Sequence, residues 1–387
     1  MVETKPPGTA ASSLHTAIDN ASKGLVDRRG LVETIVLAAV AREHLLVTGP
    51  PGTAKSEAVR RIARTTAGRY FEYLIGRFTE PSEIFGPMDL RKLREGTVET
   101  QTSGMLPEAD FAFLDEIFLG STAILNTLLG ILNERVFRRG HTIMPCPLRI
   151  CVGATNRLPE SEPLAAFADR FLVRVFTEPI SDSRLEELLE GGWAADRSGG
   201  VSAAATVSDI DALAQTARQM DMTGVRPLLA QAIRMLRGAG VNLTDRRVVK
   251  VQHLISAAAA LAGREQATKA DLWPVVLAVP TREDQAVARD CLRDFLVVSE
   301  NDALMHAVEE TSLGPLARAS RIAAAGRELL ASGPGDTLEE WTLKLEGIAR
   351  EIDAGFSIEN MPVELSDVRA RIVAEFKRES PASEPVH

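Results

Sequence analysis

Residues 44–56 read HLLVTGPPGTAKS: an apolar strand, His44 to Thr48, runs into a Gly/Pro turn, Gly49 to Gly52, and then into a helix whose inner face is Ala58, Val59, Ile62 and Ala63. In a strand–glycine loop–helix unit, successive backbone N–H groups and the helix N-terminus point at one spot, which suits phosphate oxygens. The octet Gly49, Pro50, Pro51, Gly52, Thr53, Ala54, Lys55 and Ser56 follows the pattern of Gly, four residues, Gly, Lys, then Ser or Thr, except that Ala54 stands where glycine is usual. That departure adds a methyl group where the backbone closes around the phosphates. Lys55 would neutralise the β and γ phosphates, and Ser56 would coordinate magnesium. A plain Gly/Pro turn ahead of Lys-Ser is the bland alternative, and the flanking strand and helix argue against it.

Working outward, Leu31, Ile35 and Ala39, with Val32, Val36 and Val40 beside them, predict one apolar face of a helix after Gly30. Downstream come an apolar strand Phe111 to Leu114, a helix carrying Ile124, Leu128 and Leu132, and a strand Leu148 to Ala154. Strands separated by helices predict a parallel sheet in an αβα sandwich. The polar segment around 88–104 reads as an inserted hairpin with room for a short helix. After Phe176 the strand signals stop, and Asp182 to Glu190, Arg226 to Leu236, Asp245 to Ala262 and Lys269 to Val276 read as helices. The expected division is a flexible segment 1–19, a nucleotide-binding core 20–180, a separate helical lid 181–282, a helical C-terminal region 283–379 and a flexible tail 380–387.

The strand Phe111 to Leu114 ends in Asp115-Glu116, and carboxylates at a strand end face the crevice where ligands of parallel sheets bind. Asp115 would hold magnesium or its water, while Glu116 would orient and polarise an attacking water. Alone, such a pair is a common solvated strand exit; after a phosphate loop, coincidence is improbable. Asn156 closes the strand Leu148 to Ala154 and would lie beside Asp115, where a neutral amide can contact both the γ-phosphate and the water. Locally it could equally cap the turn before Pro159.

With 387 residues, more than one core is expected, and 45% hydrophobic with 25% charged residues is an ordinary globular balance. No apolar run approaches a membrane span, and the N-terminus lacks a basic start followed by an apolar core, so a cytoplasmic protein is expected. A net charge of -9 makes nucleic acid an unlikely main partner. Cys146, Cys151 and Cys291 form no CxxC pair, so neither zinc nor a disulfide is expected.

With GPPGTAKS, FLDE and GATN in this order, the chain resembles the AAA+ ATPases. The segments FEYLIGRFTEPSEIFGP from Phe71, TSGMLPEADFAFLDEIF from Thr102, ILNTLLGILNERVFRRG from Ile124 and DRFLVRV from Asp169 narrow the resemblance to the MoxR family, RavA-like branch. It covers roughly residues 20 to 280. It implies a P-loop AAA+ module binding ATP and Mg2+, with Lys55 and Ser56 in Walker A, Asp115 and Glu116 in Walker B and Asn156 as sensor 1. It further implies Arg170 as an arginine finger serving a neighbouring subunit, with Arg174 as the competing candidate and an Arg170–Asp169 salt bridge as the bland reading. Arg246, ahead of Arg247, takes the sensor 2 place on a helix that Asp245 would cap, able to swing onto the phosphates as the lid closes. The resemblance also implies a homo-hexamer with a chaperone-like role, often beside a partner with a von Willebrand A domain. Three rivals stay open: a nucleotide-gated scaffold with negligible turnover, a DNA motor, which the acidic balance opposes, and a metal-chelatase-type motor subunit.

Overall fold

The computed structural model describes residues 7–180, 184–197, 202–312, 315–334, 338–356 and 361–379. The expected tail 380–387 lies outside them. Seven strands occur among the described residues: β1 (Leu45–Thr48), β2 (Tyr70–Leu74), β3 (Phe111–Asp115), β4 (Val136–Arg139), β5 (Thr142–Pro145), β6 (Ile150–Thr155) and β7 (Val173–Phe176). Five form one parallel sheet in the order β2-β3-β6-β1-β7, and β4 and β5 make a separate antiparallel hairpin.

Strand side chains alternate between two layers, as the period of two requires. Leu45 and Val47, Phe111 and Phe113, and Ile150, Val152 and Ala154 enter one apolar cluster, whereas Leu46, Ala112, Leu114 and Cys151 enter another on the opposite face. Helix Thr122–Glu134 covers the second face through Ile124, Leu128, Ile131 and Leu132. Burial pushes the Cys151 thiol up to about 12, so it behaves as a small hydrophobe.

The first face is covered by helices Arg29–Ala41 and Lys55–Thr65, and it departs from expectation in four ways. Helix Arg29–Ala41 is buried on every side from Gly30 to Ala41, rather than on one face, because it is enclosed by the sheet and other helices. The N-terminal segment is not flexible over the described part of 1–19: Pro7–Ser22 is a helix that buries Ala10, Leu14, Ala17, Ile18 and Ala21. The lid has no core of its own. Its helices Val207–Gln219, Arg226–Gly238 and Asp245–Leu261 bury Ile210, Leu213, Ile233, Leu236, Leu254 and Ile255 in the same cluster as the strands. Finally, that cluster runs past residue 283 through Leu292, Phe295, Leu296, Leu304, Ala307 and Val308. The C-terminal helices with a core of their own are Pro315–Ser332, Leu338–Gly355 and Val363–Glu379, built on Ala323, Leu345, Ile352, Leu365 and Ile372.

Between β2 and β3, the expected hairpin is reduced to a single antiparallel bridge, Met88 to Thr100, framing a short helix Leu90–Arg94 that Asp89 caps. Lys269 to Val276 is likewise a 3-10 turn, Lys269–Asp271, followed by the helix Pro274–Leu277. No described helix is long and apolar enough to cross a membrane.

Candidate functional site

The loop after β1 is held by its neighbours before any ligand is considered. Gly49 N donates to Thr155 O of β6 at 3.1 Å, and a Cβ at Gly49 would stand 2.3 Å from Thr177 Oγ1, so no larger residue fits there. Gly52 takes φ +77°, and Ala54 takes φ 57°, ψ 27°. The departure from the glycine pattern is therefore accommodated by placing an alanine in the left-handed region, at a cost of roughly 1–2 kcal/mol. Lys55 folds its ammonium back into the loop, donating to Gly49 O at 2.6 Å and Pro50 O at 3.1 Å. Desolvation lowers its pKa, while Asp115 and Glu116 oppose that shift, so two carboxylates face the loop.

Those carboxylates come from β3. The register Leu114 to Gly153 puts the ends of β3 and β6 side by side. Glu116, in the left-handed region at φ 48°, turns back toward β6, and its Oε1 accepts from Asn156 Nδ2 at 2.6 Å. Asp115 Oδ1 accepts from Glu116 N at 3.0 Å, which fixes the turn. The structure thus brings Lys55, Asp115, Glu116 and Asn156 to one end of the sheet.

The arginines lie elsewhere. Val173 N donates to His44 O, so Arg170, three residues earlier, lies beyond the amino end of β7, whereas the loop leaves the carboxyl end of β1. The Arg170–Asp169 salt bridge is absent; Asp169 pairs with Arg247 at 2.7 Å, and Arg170 Nε is buried without a hydrogen-bond partner among the described residues. Arg174 is 4% exposed and donates to Ala168 O of its own chain, which removes it as a candidate for reaching a neighbour. Arg246 donates to Asn133 Oδ1 at 2.7 Å. Asn133 follows Leu132, whose carbonyl contacts His44 ahead of β1. Arg246 is therefore also at the amino end, and not beside this chain's own phosphate loop. Arg247 is locked in the interior by four hydrogen bonds. The helix cap is Thr244, whose hydroxyl accepts from Arg247 N, and not Asp245, which occupies the first turn.

A model of the MoxR domain in the MoxR-vWA-beta-propeller ternary systems matches residues 12–215. The chain belongs to the MoxR family of AAA+ ATPases. An uncharacterised protein of Methanocaldococcus jannaschii is 35% identical over 249 residues, 64% of this chain and 66% of that one. Chaperone MoxR1 of Mycobacterium tuberculosis is 32% identical over 180 residues, 44% of this chain and 47% of that one. The chain thus spans about two thirds of the first relative's length and about half of the second's. A crystal structure from Cytophaga hutchinsonii, provisionally assigned as an ATPase, superposes with a TM-score of 0.61 at 16% identity, covering 76% of this chain and 96% of that one, and so shares the fold.

Sequence reasoning missed one residue of this MoxR site. Arg28, 6% exposed, donates from Nε to Thr53 O at 2.8 Å and from Nη2 to Glu178 O at 2.6 Å. It ties the phosphate loop to the chain leaving β7. Nothing near Arg28 in sequence signals this, because its partners lie 25 and 150 residues away.

Proposed function

We propose that this chain hydrolyses ATP with magnesium in a ring of its own copies, a hexamer, and uses the cycle to remodel a partner protein carrying a von Willebrand A domain. The observation that carries the enzymatic part is the 2.6 Å hydrogen bond from Asn156 to Glu116 beside the phosphate loop. It holds a carboxylate at the strand ends in the orientation needed to accept a proton from water.

The residues present suit both ligands. Lys55 donates to two loop carbonyls, and a third N–H of its ammonium is left for a phosphate oxygen. The Ser56 hydroxyl and the Asp115 carboxylate are hard oxygen donors of the kind magnesium prefers. Magnesium, when bound, neutralises charge on the β and γ phosphates. Glu116 orients the water and takes its proton, and Asn156 keeps Glu116 from turning away.

The placement of Arg170 and Arg246 at the amino end of the sheet supports hydrolysis between subunits, since neither faces this chain's own loop. Both would serve a neighbour, and the Asp169–Arg247 pair joins the segments that carry them. The von Willebrand A partner rests on the description of the matched family, which names that domain together with a beta-propeller. The test is Glu116→Gln. Its amide keeps the shape but cannot polarise water, so ATP should bind as in wild type while turnover is lost; turnover at the wild-type rate would refute the assignment.

A further inference from the structure

At the amino end of the sheet, away from the phosphate loop, lies a cavity of about 530 Å³ lined by Arg42, Arg135, Arg149, Arg218 and Asp211 among others. Arg42 and Arg135 are the left-handed C-cap residues of helices Arg29–Ala41 and Thr122–Glu134, Arg149 precedes β6, and Asp211 and Arg218 lie on helix Val207–Gln219. Four guanidinium groups therefore meet from four parts of a chain whose net charge is -9.

Their partners do not balance them. Arg149 is used up, with Nε and Nη2 on Asp211 and Nη1 on Asp110 and Pro147 O. Arg42 reaches Asp211 through Nη2 alone, and among the described residues Nε and Nη1 have no hydrogen-bond partner. Arg218 is exposed and makes no hydrogen bond or ion pair among the described residues. Arg135 is the most telling. Its Nη1 is 2.9 Å from His44 Nε2. Yet His44 Nδ1 accepts from Cys151 N at 3.0 Å, and burial keeps the ring neutral, so its proton sits on Nε2 and is donated to Leu132 O. Arg135 Nη1 thus faces another donor, and among the described residues the only acceptor the guanidinium engages is Arg42 O. With Asp211 and Asp110 counted, the four arginines keep an excess of two positive charges, since Glu43, the other carboxylate near Arg135, is paired with Lys250, and Asp110 is shared with Arg69.

We propose that this cavity binds a phosphate dianion, free or as a small monoester, through Arg42, Arg135 and Arg218, while Arg149 holds Asp211 aside. Guanidinium forks match phosphate oxygens, and a dianion cancels the excess charge. The cavity has room for a substituent beyond the phosphate, and no aromatic side chain lines it to stack a nucleobase. A bound anion would bridge helix Val207–Gln219 to the ends of two core helices.

The test is calorimetric titration of the full chain, as wild type and as Lys55→Ala so that the nucleotide loop does not contribute, at constant ionic strength. Inorganic phosphate and glycerol phosphate should each saturate one site in Lys55→Ala, and the tighter of the two identifies the natural form. Arg218→Glu, at an exposed and unpaired position that should not disturb folding, should weaken binding at least about tenfold, ~1.4 kcal/mol, and Arg218→Lys by less. Three results overturn the proposal: no saturation at roughly millimolar phosphate, unchanged affinity in Arg218→Glu, or succinate binding as tightly as phosphate.

Discussion

Asp169 Oδ1 accepts from Arg247 Nε at 2.7 Å, which couples the residue next to Arg170 to the helix carrying Arg246. Arg247 Nη1 donates to Leu172 O and Ala278 O, and its Nη2 to Phe171 O. Arg247→Met should therefore strand a carboxylate and three carbonyls, costing about 3–5 kcal/mol. Arg247→Lys should recover little, because one ammonium cannot span the fork. Arg246→Ala, at an exposed contact to Asn133, should change stability by no more than about 0.5 kcal/mol. Urea unfolding separates the two, and equal stability of the Met and Ala variants would show that Arg247 is not the structural arginine.

Ala54 offers a prediction of the opposite sign. Glycine relieves the left-handed strain of roughly 1–2 kcal/mol and returns about 0.4–1 kcal/mol through a freer unfolded chain. Ala54→Gly should thus stabilise the protein by about 0.5–1 kcal/mol, seen as a higher urea midpoint at unchanged slope. A lower midpoint would mean that the alanine methyl makes a favourable contact outweighing its backbone strain.

Shortening the chain tests where the AAA+ body ends. A chain stopped after Ser312 keeps the shared apolar cluster, including Phe295, Leu304 and Val308. It also keeps Ala307 N, which donates at 2.8 Å to Glu33, a buried carboxylate of the central helix. That chain should bind nucleotide like the full one. Stopping after Val287 removes seven buried residues of that cluster, Ala307 and its bond to Glu33 among them, so this shorter chain should lose its cooperative melting transition. Cooperative unfolding of the shorter chain would place the boundary back near 283.

The nucleotide end of this fold was legible because its chemistry is local: eight consecutive residues make the loop, and an apolar strand ending in Asp115-Glu116 announces its own exit. The αβα layering was legible for the same reason, since β1, β3 and β6 are short apolar runs between periodic helices. What escaped depends on distant partners. Ala10, Leu14, Ala17, Ile18 and Ala21 have helical spacing, but they are interleaved with small polar residues, and their burial is decided by the helices they pack against. Strand β2 was passed over because Tyr70 to Leu74 is only partly covered, with Glu72 and Leu74 exposed at the sheet edge. Adjacent arginines were separated only by three dimensions: Arg247 turns inward to carbonyls from 75, 76 and 31 residues away, and Arg246 stays out.

The final prediction joins the site to the ring. Arg170 lies at the end of the sheet opposite its own phosphate loop, with Nε unpartnered among the described residues. If it completes a neighbour's site, hydrolysis depends on assembly, and specific activity should rise with protein concentration. Arg170→Ala should bind ATP almost normally, because its own loop is intact, yet lose turnover on the order of 10³-fold. Mixing gives the sharper test. Arg170→Ala supplies an intact loop and Lys55→Ala an intact finger, so mixed rings contain interfaces where both are present, and activity should return although each variant alone is nearly inactive. A role confined to folding predicts no rescue and a lowered urea midpoint for Arg170→Ala. If rings that demonstrably exchange subunits stay inactive, the finger is not Arg170. Arg174 is then no substitute, since it is buried against Ala168 O of its own chain, and Arg246 becomes the residue to carry through the same mixing experiment.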